Sequence, residues 1–117
     1  MNKREIGSIK EREAATFLKE KGYHILECNY NSRTGEIDIV GKEGGYFVFI
    51  EVKYRSNVRN GYPSEAIDFR KIKHITRTAR LYLMHHGLSE FTPCRFDVIE
   101  ILGNEMKLIQ NAFDAID

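Results

Sequence analysis

The sequence predicts an α/β protein in which helices flank a mixed β-sheet. Two segments carry apolar residues at helical spacing, and between and after them lie strand-like runs bounded by turn residues. The run "FVFIEV" (47–52) is apolar on both faces, which is typical of a central strand covered on both sides. With 117 residues, the chain is long enough for one core, so we expect a single domain over 1–117.

The first half of the chain predicts one helix and three strands. The helix covers 3–21, where Ala14 and Leu18 recur at helical spacing, and Gly22 is suited to end it. Three strand-like runs follow, at 23–30, 36–42 and 46–55. The "EGG" at 43–45 is the strongest hairpin signal in the chain, and it predicts that the second and third runs pair with each other.

A second helix is predicted after a polar loop. The loop covers 56–64, which has no hydrophobic period, and the helix follows Pro63 and Ser64 and runs to about His86. One face of this helix is apolar, with Ile72, Ile75, Ala79, Tyr82 and Leu83. The opposite face is basic, with Arg70, Lys73, His74, Arg77 and Arg80.

Two further strands, at 92–102 and 105–110, complete the order α-β-β-β-α-β-β. The second helix crosses from one strand to the next. We therefore expect strands 46–54 and 92–102 to be parallel neighbours with a right-handed connection.

Charged residues alternate with apolar ones where the two hairpin strands leave the core. Glu36 and Asp38 share one face of their strand, and Glu51 and Lys53 share one face of the next. Pairing through the hairpin would bring the carboxylates of Asp38 and Glu51 close together. A divalent cation such as Mg²⁺ or Mn²⁺ would relieve their repulsion, and the ammonium of Lys53 would then orient a water or stabilise charge on a phosphate.

The same pattern also fits a solvated hairpin face with weak cross-strand ion pairs. The position favours a site, because these charges end a run that is apolar on both faces, where a buried charge is costly unless it is paired or metal-bound. Glu36 is a further candidate ligand, with an ion pair to Arg33 or Lys53 as the alternative. Asp97 is predicted to pair with Arg95 or another neighbour rather than to be catalytic.

Basic residues are concentrated in one segment of a nearly neutral chain. Between Lys53 and Arg80 there are eight lysines and arginines against two acids, Glu65 and Asp68, on a chain of net charge +1. This asymmetry favours an anion-binding side. Glu65 itself is expected to complement the dipole at the start of the second helix. The candidates for nucleic-acid contacts are Arg55, Arg70, Lys73, Arg77 and Arg80, with a solvated surface as the alternative reading.

An ordered set of motifs resembles the small bacterial YraN-like family, also called UPF0102. The set is "GEIDIV", "FVFIEVKYR", "GYPSEAI" and "RFDVIEI", and the resemblance extends from Ile6 to about Phe113. That family in turn resembles the PD-(D/E)xK nuclease superfamily and, within it, the archaeal Holliday-junction resolvases. The resemblance implies a restriction-endonuclease-like fold.

Carried over by position, the resemblance places a metal-binding acid on Asp38 and the (D/E)xK signature on Glu51 and Lys53. It places the helical acid of the resolvases on Glu11, although periodicity alone does not choose between Glu11 and Glu13. The implied catalytic set is therefore Glu11, Asp38, Glu51 and Lys53, with Asp38 and Glu51 holding Mg²⁺ or Mn²⁺.

The expected function is metal-dependent hydrolysis of DNA phosphodiesters by an endonuclease, with branched DNA as one candidate substrate. A nucleic-acid-binding module of the same fold without efficient catalysis is the alternative. A structural domain whose acids form an ion-pair network is a third reading.

The sequence also bounds location and assembly. The N-terminal residues are too charged for a signal peptide, and no apolar run is long enough to cross a membrane. We therefore expect a cytoplasmic protein without membrane contact. The resolvases are dimers, so the resemblance leaves a homodimer open for this chain.

Overall fold

A mixed β-sheet forms the centre of the fold. The computed structural model of the protein describes residues 3–55 and 68–116, with side chains from Gly7 onward except that of Arg55. The elements are α1 (Lys3–Glu20), β1 (His24–Ser32), β2 (Gly35–Glu43), β3 (Tyr46–Arg55), α2 (Phe69–His85), β4 (Cys94–Leu102) and β5 (Glu105–Ile109). The predicted order of helices and strands is confirmed.

The described strands lie side by side in chain order, β1-β2-β3-β4-β5. β3 and β4 pair in parallel, whereas the other neighbours pair antiparallel. The parallel pair spans the crossover through α2, as predicted. The hairpin between β2 and β3 turns at Gly44 and Gly45, whose φ angles of 59° and 85° suit a two-residue turn that other residues adopt at a cost.

Two hydrophobic clusters cover the two faces of the sheet. On one face, Ala14 and Leu18 of α1 pack on Val48 and Ile50 of β3. On the other face, α2 packs on Phe49 of β3. Because successive residues of β3 enter opposite clusters, the strand is buried from both sides, which confirms the prediction for "FVFIEV".

α2 begins later than the sequence interpretation placed it. Asp68 has an extended backbone, and its carboxylate accepts a hydrogen bond of 2.9 Å from the main-chain N–H of Lys71. This N-cap starts the helix at Phe69 rather than just after Ser64. The predicted loop 56–64 and Glu65 lie outside the described residues.

The two predicted faces of α2 are confirmed. Ile75, Ala79, Tyr82 and Leu83 are buried, and Ile72 is half-buried at the start of the same stripe. Arg70, His74, Arg77 and Arg80 are exposed, and Lys73 is half-buried. None of the described helices is long and apolar enough to span a membrane.

Candidate active site

Asp38 lies where β2 and β3 separate. Their pairing runs from Glu43 opposite Tyr46 to Ile39 opposite Ile50 and ends there. Just beyond, the main-chain N–H of Val52 donates a hydrogen bond of 2.8 Å to Oδ2 of Asp38. The carboxylate of Asp38 thus occupies the fork, as a partner for a main-chain N–H beyond the end of the ladder.

The packing of β2 changes face at the same point. Ile39 joins the cluster under α1, whereas Ile37 joins the cluster under α2. Strict alternation would place these two residues on one face, opposite that of Glu36 and Asp38. On β1, Asn29 lies between Cys28 and Tyr30, which pair with Ile39 and Ile37, and it has a left-handed backbone with φ of 56°. The change of face in β2 thus coincides with an irregular residue in β1, and we call this irregularity of the two strands the kink at Asp38.

Three carboxylates meet beside this kink. Oxygen atoms of Glu11, Glu36 and Asp38 all lie within 4.8 Å of one another. Glu11 comes from α1, on the same helical face as Ala15 and Leu18, which hold the helix against the sheet. Tertiary packing thus brings an acid from α1 to two acids of β2.

The structure decides between the two acids of α1 that periodicity left open. Glu11 is half-buried and joins the carboxylate group. Glu13 is exposed and pairs with Lys10 at 3.5 Å between Nζ and Oε2. Glu11 is therefore the helical acid that faces the candidate site.

Burial and mutual repulsion make the carboxyls of Asp38 and Glu11 harder to ionise. Burial raises the pKa of Asp38 to about 7, with further increases from the charges of Glu51, Glu11 and Glu36 and a partial decrease from the Val52 hydrogen bond. Burial also raises the pKa of Glu11, although a hydrogen bond with the side chain of Asn29 lowers it in part. The site therefore favours any cation that offsets this accumulation of negative charge.

Glu51 lies near enough to Asp38 for its charge to raise the pKa of Asp38, and its own carboxylate contacts two lysines. Its side chain is only 6% exposed. Its Oε1 atom lies 3.2 Å from Nζ of Lys53 and 3.3 Å from Nζ of Lys71. The predicted neighbourhood of Asp38, Glu51 and Lys53 is therefore present, but Glu51 contacts ammonium groups rather than joining the three-carboxylate group.

Lys71 is a site residue that the sequence interpretation missed. It was counted only as part of the basic segment. However, it lies four residues before Ile75 and thus extends the buried stripe of α2 toward the helix start. The position of this lysine in line with the apolar stripe of α2 was the sequence signal that it faces the sheet.

A polar cleft of about 560 Å³ adjoins the carboxylates. Its lining residues are Gly7, Ser8, Glu11, Asn29, Asn31 and Glu36. The side chain of Asn31 donates a hydrogen bond of 3.1 Å to the main-chain oxygen of Asn29 and so supports the left-handed residue. Neither asparagine was predicted as a site residue, because Asn29 lay in the strand-like run 23–30 without a sign of its positive φ and Asn31 lay just after that run.

The basic residues of α2 are distributed rather than gathered at the carboxylates. Arg77 and Arg80 line a separate cleft of about 300 Å³ with Arg33 and Met84, among others. Arg55 ends β3, and its side chain is outside the described residues.

Asp97, the other acid considered in the sequence analysis, belongs to a structural network. It is fully buried, and its two carboxylate oxygens accept hydrogen bonds from the guanidinium of Arg95 at 2.9 and 3.0 Å. The hydroxyl of Tyr23 donates to it at 2.6 Å, and the main-chain N–H of Asn111 at 2.9 Å. The predicted pairing with Arg95 is confirmed.

The donor set at the kink fits a hard divalent cation. Mg²⁺ and Mn²⁺ bind carboxylate oxygens, and Mg²⁺ usually retains several waters beside one or two carboxylates. Glu11, Glu36 and Asp38 offer such oxygens from two elements, next to a cleft with room for water and ligand. The raised pKa of Asp38 agrees with a site that lacks compensating positive charge on this side.

Sequence comparison places this site within a family. The sequence model of the uncharacterised protein family UPF0102 matches residues 10–101. The chain belongs to this family. The match includes every acid and lysine of the candidate site, namely Glu11, Glu36, Asp38, Glu51, Lys53 and Lys71.

Relatives from several bacteria align along nearly the whole chain. A UPF0102 protein from Lachnoclostridium phytofermentans is 57% identical over 115 residues, which cover 98% of both chains. A UPF0102 protein from Clostridium botulinum strain Loch Maree is 47% identical, with 94% of each chain covered. One from Caldicellulosiruptor saccharolyticus is 44% identical, with 97% of this chain and all of that protein covered. The family resemblance is thus confirmed, and these names describe no activity.

Proposed function

We propose that this UPF0102 protein is a metal-dependent endonuclease that hydrolyses phosphodiester bonds in DNA. The observation that carries the proposal is the position of Asp38, at the fork of two strands between a group of carboxylates and a lysine-bound glutamate. A group of carboxylates next to a glutamate that carries two ammonium groups suits a cation and a phosphate bound next to each other.

Asp38 and Glu51 would hold Mg²⁺ or Mn²⁺, with Glu11 and Glu36 contributing directly or through water. The cation, when bound, would polarise the phosphate and lower the pKa of a water molecule. Lys53 would keep Glu51 oriented through the contact seen at 3.2 Å and place a positive charge where the phosphate gains negative charge. Asp38 would stay in position through its hydrogen bond from Val52, so that little reorganisation accompanies the reaction.

The fold is consistent with the proposed superfamily. We assign the chain to the PD-(D/E)xK nucleases, with a restriction-endonuclease-like core. Support comes from the order of the elements, from the parallel pair across α2 and from the Asp38, Glu51 and Lys53 motif on adjacent strands. The resemblance to archaeal Holliday-junction resolvases makes branched DNA a candidate substrate.

The exposed arginines of α2 would contact the DNA backbone rather than the bases. They also favour one alternative, a nucleic-acid-binding module that lacks efficient catalysis. The two functions differ in their dependence on metal: affinity that needs no divalent cation and is unchanged in Asp38→Ala would favour the binding module.

A cleavage assay tests the proposal. Labelled linear, single-stranded, flap and four-way-junction DNA would be incubated with the protein in Mg²⁺, in Mn²⁺ and in EDTA. We expect metal-dependent products that fall at least about 100-fold in Glu51→Gln, in line with the loss of a group that stabilises the transition state. Glu13→Gln is the matched control, because it removes one exposed charge from α1 beside the site.

Two results would overturn the nuclease proposal. One is cleavage that persists unchanged in Glu51→Gln purified in the same way, since it would indicate a contaminating enzyme. The other is the absence of products from all four DNA forms with both metals.

A further inference from the structure

Lys71 is the second of two ammonium groups on one buried carboxylate. Lys53 and Lys71 both contact Oε1 of Glu51, at 3.2 and 3.3 Å. One lysine is enough to neutralise one glutamate, so this side of the site has a local excess of positive charge. Asp38 is nearby, and its pKa is raised by burial and then by the charges of Glu51, Glu11 and Glu36.

The stability of α2 does not account for this lysine. The first turn of the described helix, 69–72, contains Arg70 and Lys71 and no acid. Cations near a helix N-terminus oppose the helix dipole and so destabilise the helix. Lys71 is therefore placed at a position where helix energetics favour the opposite charge.

The two lysines differ in their access to solvent. The side chain of Lys71 is 41% exposed, whereas that of Lys53 is 16% exposed. Lys71 belongs to the first turn of α2, and Lys53 belongs to the central strand β3. An incoming anion would therefore meet Lys71 first, while Lys53 would remain on Glu51.

We propose that Lys71 is a substrate-binding residue that exchanges its partner. In the free protein it contacts Glu51 together with Lys53. On DNA binding it moves its contact to the phosphodiester and leaves Glu51 freer to approach the cation. This inference rests on the proposed nuclease function and deepens it. DNA and the cation would bind with positive coupling, because each one favours the arrangement in which Lys71 has left Glu51.

Two binding measurements on Lys71→Ala test the exchange, with Lys42→Ala as the control of equal charge. Lys42 lies near the hairpin end of β2, away from Asp38. Without DNA, Mn²⁺ titration followed by calorimetry should give Lys71→Ala an affinity about 3- to 10-fold higher than wild type, because Glu51 loses a competing ammonium group. Binding of a labelled four-way junction in Ca²⁺ would be measured by fluorescence anisotropy, and Lys71→Ala should bind it more weakly than wild type. The slope of log K against log salt should be smaller in magnitude by about 1 for this variant, because one phosphate contact is lost.

The coupling between cation and DNA is the decisive quantity. It is the ratio of junction affinities with and without Ca²⁺, and we expect it to fall about 5- to 10-fold in Lys71→Ala relative to Lys42→Ala. If Lys71→Ala and Lys42→Ala have equal Mn²⁺ affinity, salt slope and coupling, and wild type still binds and cuts DNA, then the proposed exchange by Lys71 is refuted. Failure of wild type to bind or cut DNA would instead refute the nuclease function. Circular dichroism would establish that both variants are folded.

Discussion

The substitution Asp38→Asn should stabilise the metal-free protein at neutral and alkaline pH. The carboxyl of Asp38 has a pKa of about 7 in the folded protein against an ordinary value of 3.8, mainly because of burial and next because of the charge of Glu51. Ionisation is therefore easier in the unfolded chain, and the ionised group destabilises the folded state. Asparagine cannot ionise, and its side-chain oxygen can still accept the hydrogen bond from Val52.

The size of the effect follows from the two pKa values. The penalty is absent below pH 3.8, grows as the pH rises toward 7 and is constant above that. At 1.36 kcal/mol for each pH unit, it reaches about 4 kcal/mol at pH 8 and about 2 kcal/mol at pH 5. Other effects of the substitution are shared by both conditions. We therefore expect the gain in the free energy of unfolding to be about 2–3 kcal/mol larger at pH 8 than at pH 5.

Urea denaturation followed by circular dichroism measures this difference. Wild type, Asp38→Asn and the control Glu13→Gln would be unfolded at pH 5 and pH 8 in EDTA, and midpoints and slopes would be compared. The control should show no comparable gain, because Glu13 is exposed. A gain that is equal at the two pH values, or a loss of stability at pH 8, would refute the account of Asp38 as a carboxyl that ionises at a cost.

Three further predictions concern the same molecule. At a concentration about 100 times its dissociation constant, Mg²⁺ or Mn²⁺ should raise the free energy of unfolding of wild type at pH 8 by about 2.7 kcal/mol. Thermal unfolding with and without the cation measures this increase, which should be absent in Asp38→Ala. Asp68→Ala should cost about 1 kcal/mol in urea denaturation through loss of the N-cap on Lys71, whereas Asp68→Asn should be nearly neutral; equal costs would argue against the cap. Tyr23→Phe should cost about 1–3 kcal/mol, because the hydroxyl that donates to buried Asp97 is removed; an unchanged denaturation midpoint would contradict that role.

Local patterns predicted the elements and their main neighbours. The alternation in β3, the "EGG" turn and the two faces of α2 are properties of short segments, so each could be read without the fold. The parallel pairing of β3 and β4 followed from the length of the crossover between them. The start of α2 was misplaced because Pro63 and Ser64 offered a helix-start signal earlier in the chain than the cap that the structure uses, Asp68.

The candidate site was predicted where its residues are close in the chain. Asp38, Glu51 and Lys53 belong to one hairpin, so the strand period and the turn sufficed to bring them near each other. The direct pairing expected for Asp38 and Glu51 is absent in the described ladder, because β2 leaves β3 one residue earlier. The kink at Asp38 depends on which cluster each neighbouring isoleucine joins, and no local pattern encodes that choice.

The sequence by itself determined which segments form helices and strands and which charges end the central strand, because periodicity and turn chemistry are local properties. Only the tertiary structure decided that Glu11 rather than Glu13 joins Asp38, and that Lys71 joins Lys53 on Glu51. The first contact comes from the helix on one face of the sheet, and the second comes from the helix on the other face. Their distances follow from how α1 and α2 pack on the two hydrophobic clusters and from where the strands separate, which are properties of the whole fold.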